Sequence, residues 1–195
     1  MASLSHTASP AVRPAHPMIW AWPLAILVGF PLGGLIANLI VGPTDSVPAA
    51  LGGGLLAGAV IGAAQWLALR PLVPWIWAAA TSVGMAVGLA AGAAFVDYGS
   101  SRRDVVVIGA VTGLAVGGLQ AVVLARQRVP GAAWWAAANP LAWALGWLVT
   151  SYVITKNVEE RFTNFGASGA LLFAALTGLL LAWLVRRIEP EPHAR

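Results

Sequence analysis

Six successive stretches of this chain, each about as long as a bilayer is thick, contain no Asp, Glu, Lys or Arg. A hydrocarbon core about 30 Å across takes roughly 20 apolar residues as helix, because without water every backbone N–H and C=O must be bonded inside the segment. The stretches run from Met18 to Val41, Val47 to Leu69, Leu72 to Phe95, Val105 to Ala125, Ala132 to Thr155 and Gly166 to Val185. Turn formers or charges separate them: Gly42-Pro43-Thr44-Asp45, Arg70-Pro71, Asp97 to Asp104, Arg126 to Gly131 and Lys156 to Asn164.

The expected fold is therefore all-α, a polytopic membrane bundle of about six transmembrane helices over residues 18–187, with polar tails at 1–17 and 188–195. A chain of 195 residues that is 59% hydrophobic and 9% charged has more apolar surface than a soluble domain of this size buries, and lipid is the solvent that accepts the excess. The spans leave no length for a separate soluble domain. The apolar run after the Ser-, Pro- and His-containing first tail is too long for a secretory signal, so the first helix is expected to be retained.

Charge and chemistry narrow the function. The formal charge is +4, but the eleven basic residues are scattered through loops and not clustered, which points to membrane topology and away from nucleic acid. Arg13, Arg70, Arg126, Arg128, Arg186, Arg187 and Arg195 fall on the side of the N-terminus, against Arg102, Arg103, Lys156 and Arg161 on the other, so both termini are expected to be cytoplasmic. With no cysteine, disulfides and thiolate metal sites are excluded. His6, His16 and His193 lie in the tails and Lys156 at a helix end, so no metal, haem or retinal-type cofactor is expected in the spans. No acid lies inside a span, which removes the usual parts of a proton relay and of intramembrane catalysis; no catalytic residue and no enzymatic activity are expected.

An internal threefold repeat is the most informative pattern. The second span has Gly54, Gly58, Gly62 and Gln65; the fourth Gly109, Gly113, Gly117 and Gln120; the sixth Ala170, Ala174, Gly178 and then Leu181. At 3.6 residues per turn these offsets keep each set within about 80° of arc, so the glutamine shares a stripe with the small residues and faces a neighbouring helix. The odd spans repeat Trp22, Gly29, Gly33; Trp77, Gly84, Gly88; and Trp135, Ala142, Gly146, again one stripe each. Gln65 and Gln120 are separated by the same interval as Trp22 and Trp77, so the two patterns share a register. Three helix pairs in pseudo-threefold order follow if the sixth span joins back to the first, with small residues letting backbones approach closely.

Gly58-x-x-x-Gly62-x-x-Gln65-Trp66-x-x-Leu69-Arg70 resembles a motif repeated in uncharacterised bacterial multi-pass membrane proteins. The resemblance covers most of the chain and implies a bacterial plasma (inner) membrane location, but brings no activity with it. The second copy departs from it, reading Gln120-Ala121 with Arg126 one place late, and the third has Leu181 where the motif has glutamine.

Gln65, Gln120, Asn139, Trp77 and Trp135 are the candidate residues for a polar, ligand or helix-packing site. A helix-facing amide in lipid either binds a polar ligand or hydrogen-bonds another helix, and the second use is the commoner. Trp20, Trp22, Trp66, Trp75, Trp77, Trp134, Trp135 and Trp183 lie toward one end of their spans, and the default reading is an interfacial belt that anchors the bundle. Asn139-Pro140 is read as a kink or a tolerated early proline. Asp97, Arg102, Arg103 and Asp104, with Glu159, Glu160 and Arg161, read as solvated loop charges.

The partners expected are the lipid bilayer and other membrane proteins, with no signal for an oligomeric state. The functional expectation is a non-enzymatic structural or accessory component of a membrane assembly. The alternative is a small-solute transport component or a substrate- or lipid-binding subunit, since six helices in about 200 residues resemble, in size and topology, the substrate-binding subunits of energy-coupling-factor importers.

Overall fold

The computed structural model describes residues 16–153 and 167–188. They form six helices: α1 His16–Ile40, α2 Val47–Leu69, α3 Ile76–Phe95, α4 Arg102–Arg126, α5 Ala132–Val153 and α6 Ala167–Arg186, with no strand among the described residues. Five of them, α1 to α4 and α6, are long and apolar enough to cross a membrane. The sequence leads one to expect six. The shortfall is α5, whose length suffices but whose four tryptophans and Asn139-Pro140 dilute its hydropathy.

Capping chemistry sets the helix ends. Ser46 Oγ accepts from Ala49 N at 3.4 Å and starts α2. At α4, Ser101 Oγ accepts from Asp104 N at 3.2 Å while Asp104 Oδ2 accepts from Ser101 N at 3.0 Å, a reciprocal capping box. This box draws Arg102 to Asp104 into the helix, so α4 begins before the apolar run does. By contrast α3 starts four residues later than its apolar run, because Pro71 and Pro74 punctuate the segment and Leu72 N and Val73 N turn back onto Leu69 O at 2.7 and 3.0 Å. Gly42 and Gly131 take left-handed φ values of +94° and +82° in the α1–α2 and α4–α5 turns.

The helices close into a ring in chain order, α1 against α2 and so on round to α6 against α1. Small-residue stripes let the backbones touch. A Cβ on Gly54 would lie 2.6 Å from Met85 O, and one on Gly88 would lie 2.6 Å from Thr112 Cα. Such contact supplies dispersion where lipid gives no hydrophobic drive between helices. Packing is densest within α2–α3 and α4–α5 and thinnest where α6 meets α1. Outward-facing Leu24, Leu39, Leu114, Leu141 and Leu179 are exposed, which is the arrangement lipid contact requires.

Candidate functional site

Three tryptophans meet on the bundle axis. Trp22, Trp77 and Trp135 are 0% exposed, and the Trp135 ring lies 5.7 Å from that of Trp22 and 5.8 Å from that of Trp77. This corrects the belt reading for these three residues: each shares its stripe with small residues seven and eleven positions on, so it faces the neighbouring helices. Trp20, Trp75, Trp134 and Trp183 do remain exposed at that end.

A buried indole N–H must find an acceptor, and each of the three finds one on the even-numbered helix before it round the ring. Trp77 Nε1 donates to Gln65 Oε1 at 3.1 Å, Trp135 Nε1 to Gln120 Oε1 at 2.9 Å, and Trp22 Nε1 to Thr177 Oγ1 at 3.0 Å. The third acceptor lies one turn further from the tryptophan end because Leu181 occupies the glutamine's place.

The two glutamines are also joined to each other. Gln120 Nε2 donates to Gln65 Oε1 at 3.0 Å and to Thr81 Oγ1 at 2.8 Å, while the Thr81 hydroxyl donates to Trp77 O at 2.9 Å. A single network thus spans α2, α3, α4 and α5, and Gln65, Thr81 and Gln120 are all at most 2% exposed. Asn139 sits one turn beyond Trp135 and donates from Nδ2 to Trp135 O at 2.8 Å; its Oδ1 is buried without a partner. Pro140, well inside α5 and not in its first turns, has no N–H to offer the helix.

The structure therefore brings Gln65, Gln120, Asn139, Trp77 and Trp135 into one neighbourhood. Thr81 and Thr177 belong there too, and sequence reasoning passes over both. Every member is a neutral hydrogen-bonding group, so the cluster can hold helices or a polar ligand but has no side chain suited to general acid–base work.

Two turns beyond the axial tryptophans, the rings of Phe30, Trp143 and Phe173 pack within 5.1–5.5 Å of one another. At the level of Phe173, the other even helices carry only Ala57 and Thr112. Beside them remains a cavity of about 20 Å³, lined also by Phe30, Met85 and Trp143, which is room for about one water. Thr112 Oγ1 is buried there without a partner.

The loop charges stand apart from this cluster. Asp104 is engaged in the α4 cap, and Arg102 lies over the Tyr152 ring at 3.9 Å. Lys156, Glu159, Glu160, Arg161 and the tail histidines His6 and His193 lie outside the described residues. Among the described residues, no group of His, Cys, Asp or Glu is placed to hold a metal ion. No protein-family profile matches the chain, and neither a curated protein nor a solved structure matches it.

Proposed function

We propose that this protein is a non-enzymatic structural or accessory component of a membrane assembly. In this reading it belongs with the bacterial multi-pass proteins that repeat the glycine–glutamine motif, and it sits in the plasma membrane with both termini cytoplasmic. All six helices cross; α5 does so with Trp135, Trp143, Trp147 and Asn139 turned to the bundle interior. The observation that carries the reading is the use made of Gln65 and Gln120, whose amides bond two tryptophans, Thr81 and each other and so tie four helices together.

The test is purification of the full chain in native-like lipid particles, followed by mass spectrometry and absorbance of what comes with it. A stoichiometric membrane-protein partner is the expected result; a retained small molecule without a protein partner would overturn it. The second reading, a small-solute transport or binding subunit, draws on the buried Thr112 Oγ1 and Asn139 Oδ1, two polar atoms without a partner. The cavity beside Thr112 has room for about one water and would have to widen to admit a solute. Thermal stabilisation by one member of a broad metabolite panel would select it.

A further inference from the structure

The loop between α4 and α5 folds back onto the end of α6. A Cβ on Gly131 would lie 3.0 Å from Leu184 Cδ2, 3.3 Å from Trp183 Cζ3 and 3.6 Å from Trp134 Cδ1, so two tryptophans flank one turn. Arg187 stacks its guanidinium over the Trp183 ring at 3.9 Å. Arg126 and Arg128 leave the end of α4, and Arg186 and Arg187 leave the end of α6; all four are exposed.

This corner is set off by charge from the opposite end of the bundle. Asp45, Asp97 and Asp104, the acids among the described residues, all lie at the far end, with Arg102 and Arg103. Glu189 and Glu191 follow α6 outside the described residues. Trp134 is 62% exposed in the first turn of α5, and an indole at the end of a membrane-spanning helix favours the level where acyl chains give way to headgroups. Arginine presents a planar fork of donors that matches two oxygens of one phosphate, and a stacked guanidinium loses less freedom on binding than a mobile one.

We infer that the corner formed by Arg126, Arg128, Arg186 and Arg187 with Trp134 and Trp183 binds the headgroup of an anionic phospholipid. The arginines hold the phosphate, and the two indoles pack beside the glycerol and upper acyl segments. Scattered topology charges would attract anionic lipid only diffusely. Here the Gly131 turn holds Trp134 and Trp183 side by side with Arg187 over the second ring, and the ends of α4 and α6 bring three more arginines to the same corner, which makes a discrete site instead.

The full chain in discs of mixed phosphatidylglycerol and phosphatidylcholine, released into the gas phase for native mass spectrometry, reports which lipid stays bound. The wild type is expected to retain phosphatidylglycerol enriched roughly tenfold over the bulk ratio. R126Q/R128Q/R186Q/R187Q is expected to fall to the bulk ratio, and W183A to lose enrichment several-fold with every charge intact. R102Q/R103Q, at the other end, is expected to keep the wild-type value. R128Q/R187Q serves as a milder variant if the fourfold change impairs folding, checked by melting in phosphatidylcholine alone. Absence of wild-type enrichment, full enrichment in the corner variants, or equal loss in R102Q/R103Q would overturn the site. None of these outcomes depends on whether a protein partner co-purifies.

Discussion

The α4–α5 pair and the α6–α1 pair solve one problem with different means. Both set a tryptophan from the odd helix against the even helix, and both must satisfy a buried indole N–H. In α4–α5 the acceptor is Gln120, whose amide also reaches α2 and α3, and the backbones nearly touch: a Cβ on Gly113 would lie 2.7 Å from Asn139 O. In α6–α1 the acceptor is Thr177, whose hydroxyl donates only to Phe173 O of its own helix, and a Cβ on Gly178 would meet nothing nearer on another helix than Trp22 Cδ1 at 3.5 Å. Satisfaction of the N–H is the constant; how far the acceptor couples the helices is the variable.

The sharpest way to break this contrast is to add volume to equivalent stripes. Gly113→Val would drive side-chain atoms into the α5 backbone and is expected to lower stability by more than about 3 kcal/mol, or to prevent folding. Gly178→Ala meets only ordinary contact and is expected to be within about 0.5 kcal/mol of wild type. Chemical unfolding in detergent, followed by helical circular dichroism, compares the two. Equal losses would remove the distinction between a tight and a loose pair.

A smaller effect tests the network. Gln120→Leu, which copies the third helix's residue, strands Trp135 Nε1 and removes a donor from Gln65 and Thr81; a loss of about 2 kcal/mol is expected. Combined with Trp135→Phe, the losses are expected to fall short of additivity by roughly 0.5–1.5 kcal/mol, as a double-mutant cycle would show. Thr177→Val is expected to cost about 1 kcal/mol, since only one hydrogen bond between helices goes with it. A cost larger than that of Gln120→Leu would reverse the ranking of the two pairs.

The smallest effect concerns the cavity level. Thr112→Val replaces a buried hydroxyl that has no partner with an isosteric methyl, and it is expected to be neutral or to stabilise by up to about 1 kcal/mol. Differential scanning fluorimetry resolves the sign. A clear loss would mean that the hydroxyl is satisfied by a bound water or ligand.

Spans, breaks and small-residue stripes were legible because lipid imposes length and apolarity, and close packing imposes small side chains. The gathering of Gln65, Gln120, Trp77 and Trp135 follows from the shared register of the two stripes. The burial of the three axial tryptophans was also written in that register, but the general preference of indole for interfaces spoke against it, and facing wins over residue type in a ring this narrow. Thr81 and Thr177 left no signal. A threonine in an apolar helix ordinarily bonds its own preceding turn, as both do here, and only the neighbouring helix shows the second bond. Nor could depth along the axis be read closely enough to see that Phe173 stands level with Ala57 and Thr112.

The three indoles packed edge-on and tilted on the axis also make the bundle its own optical reporter. Aromatic transitions held at 5.7 and 5.8 Å in a fixed chiral arrangement couple as excitons, so the assembled ring is expected to give a near-ultraviolet circular dichroism couplet that separated helices lack. Because Trp22 comes from the first helix and Trp135 from the fifth, that couplet reports closure of the circle, an event the helical signal alone would not register.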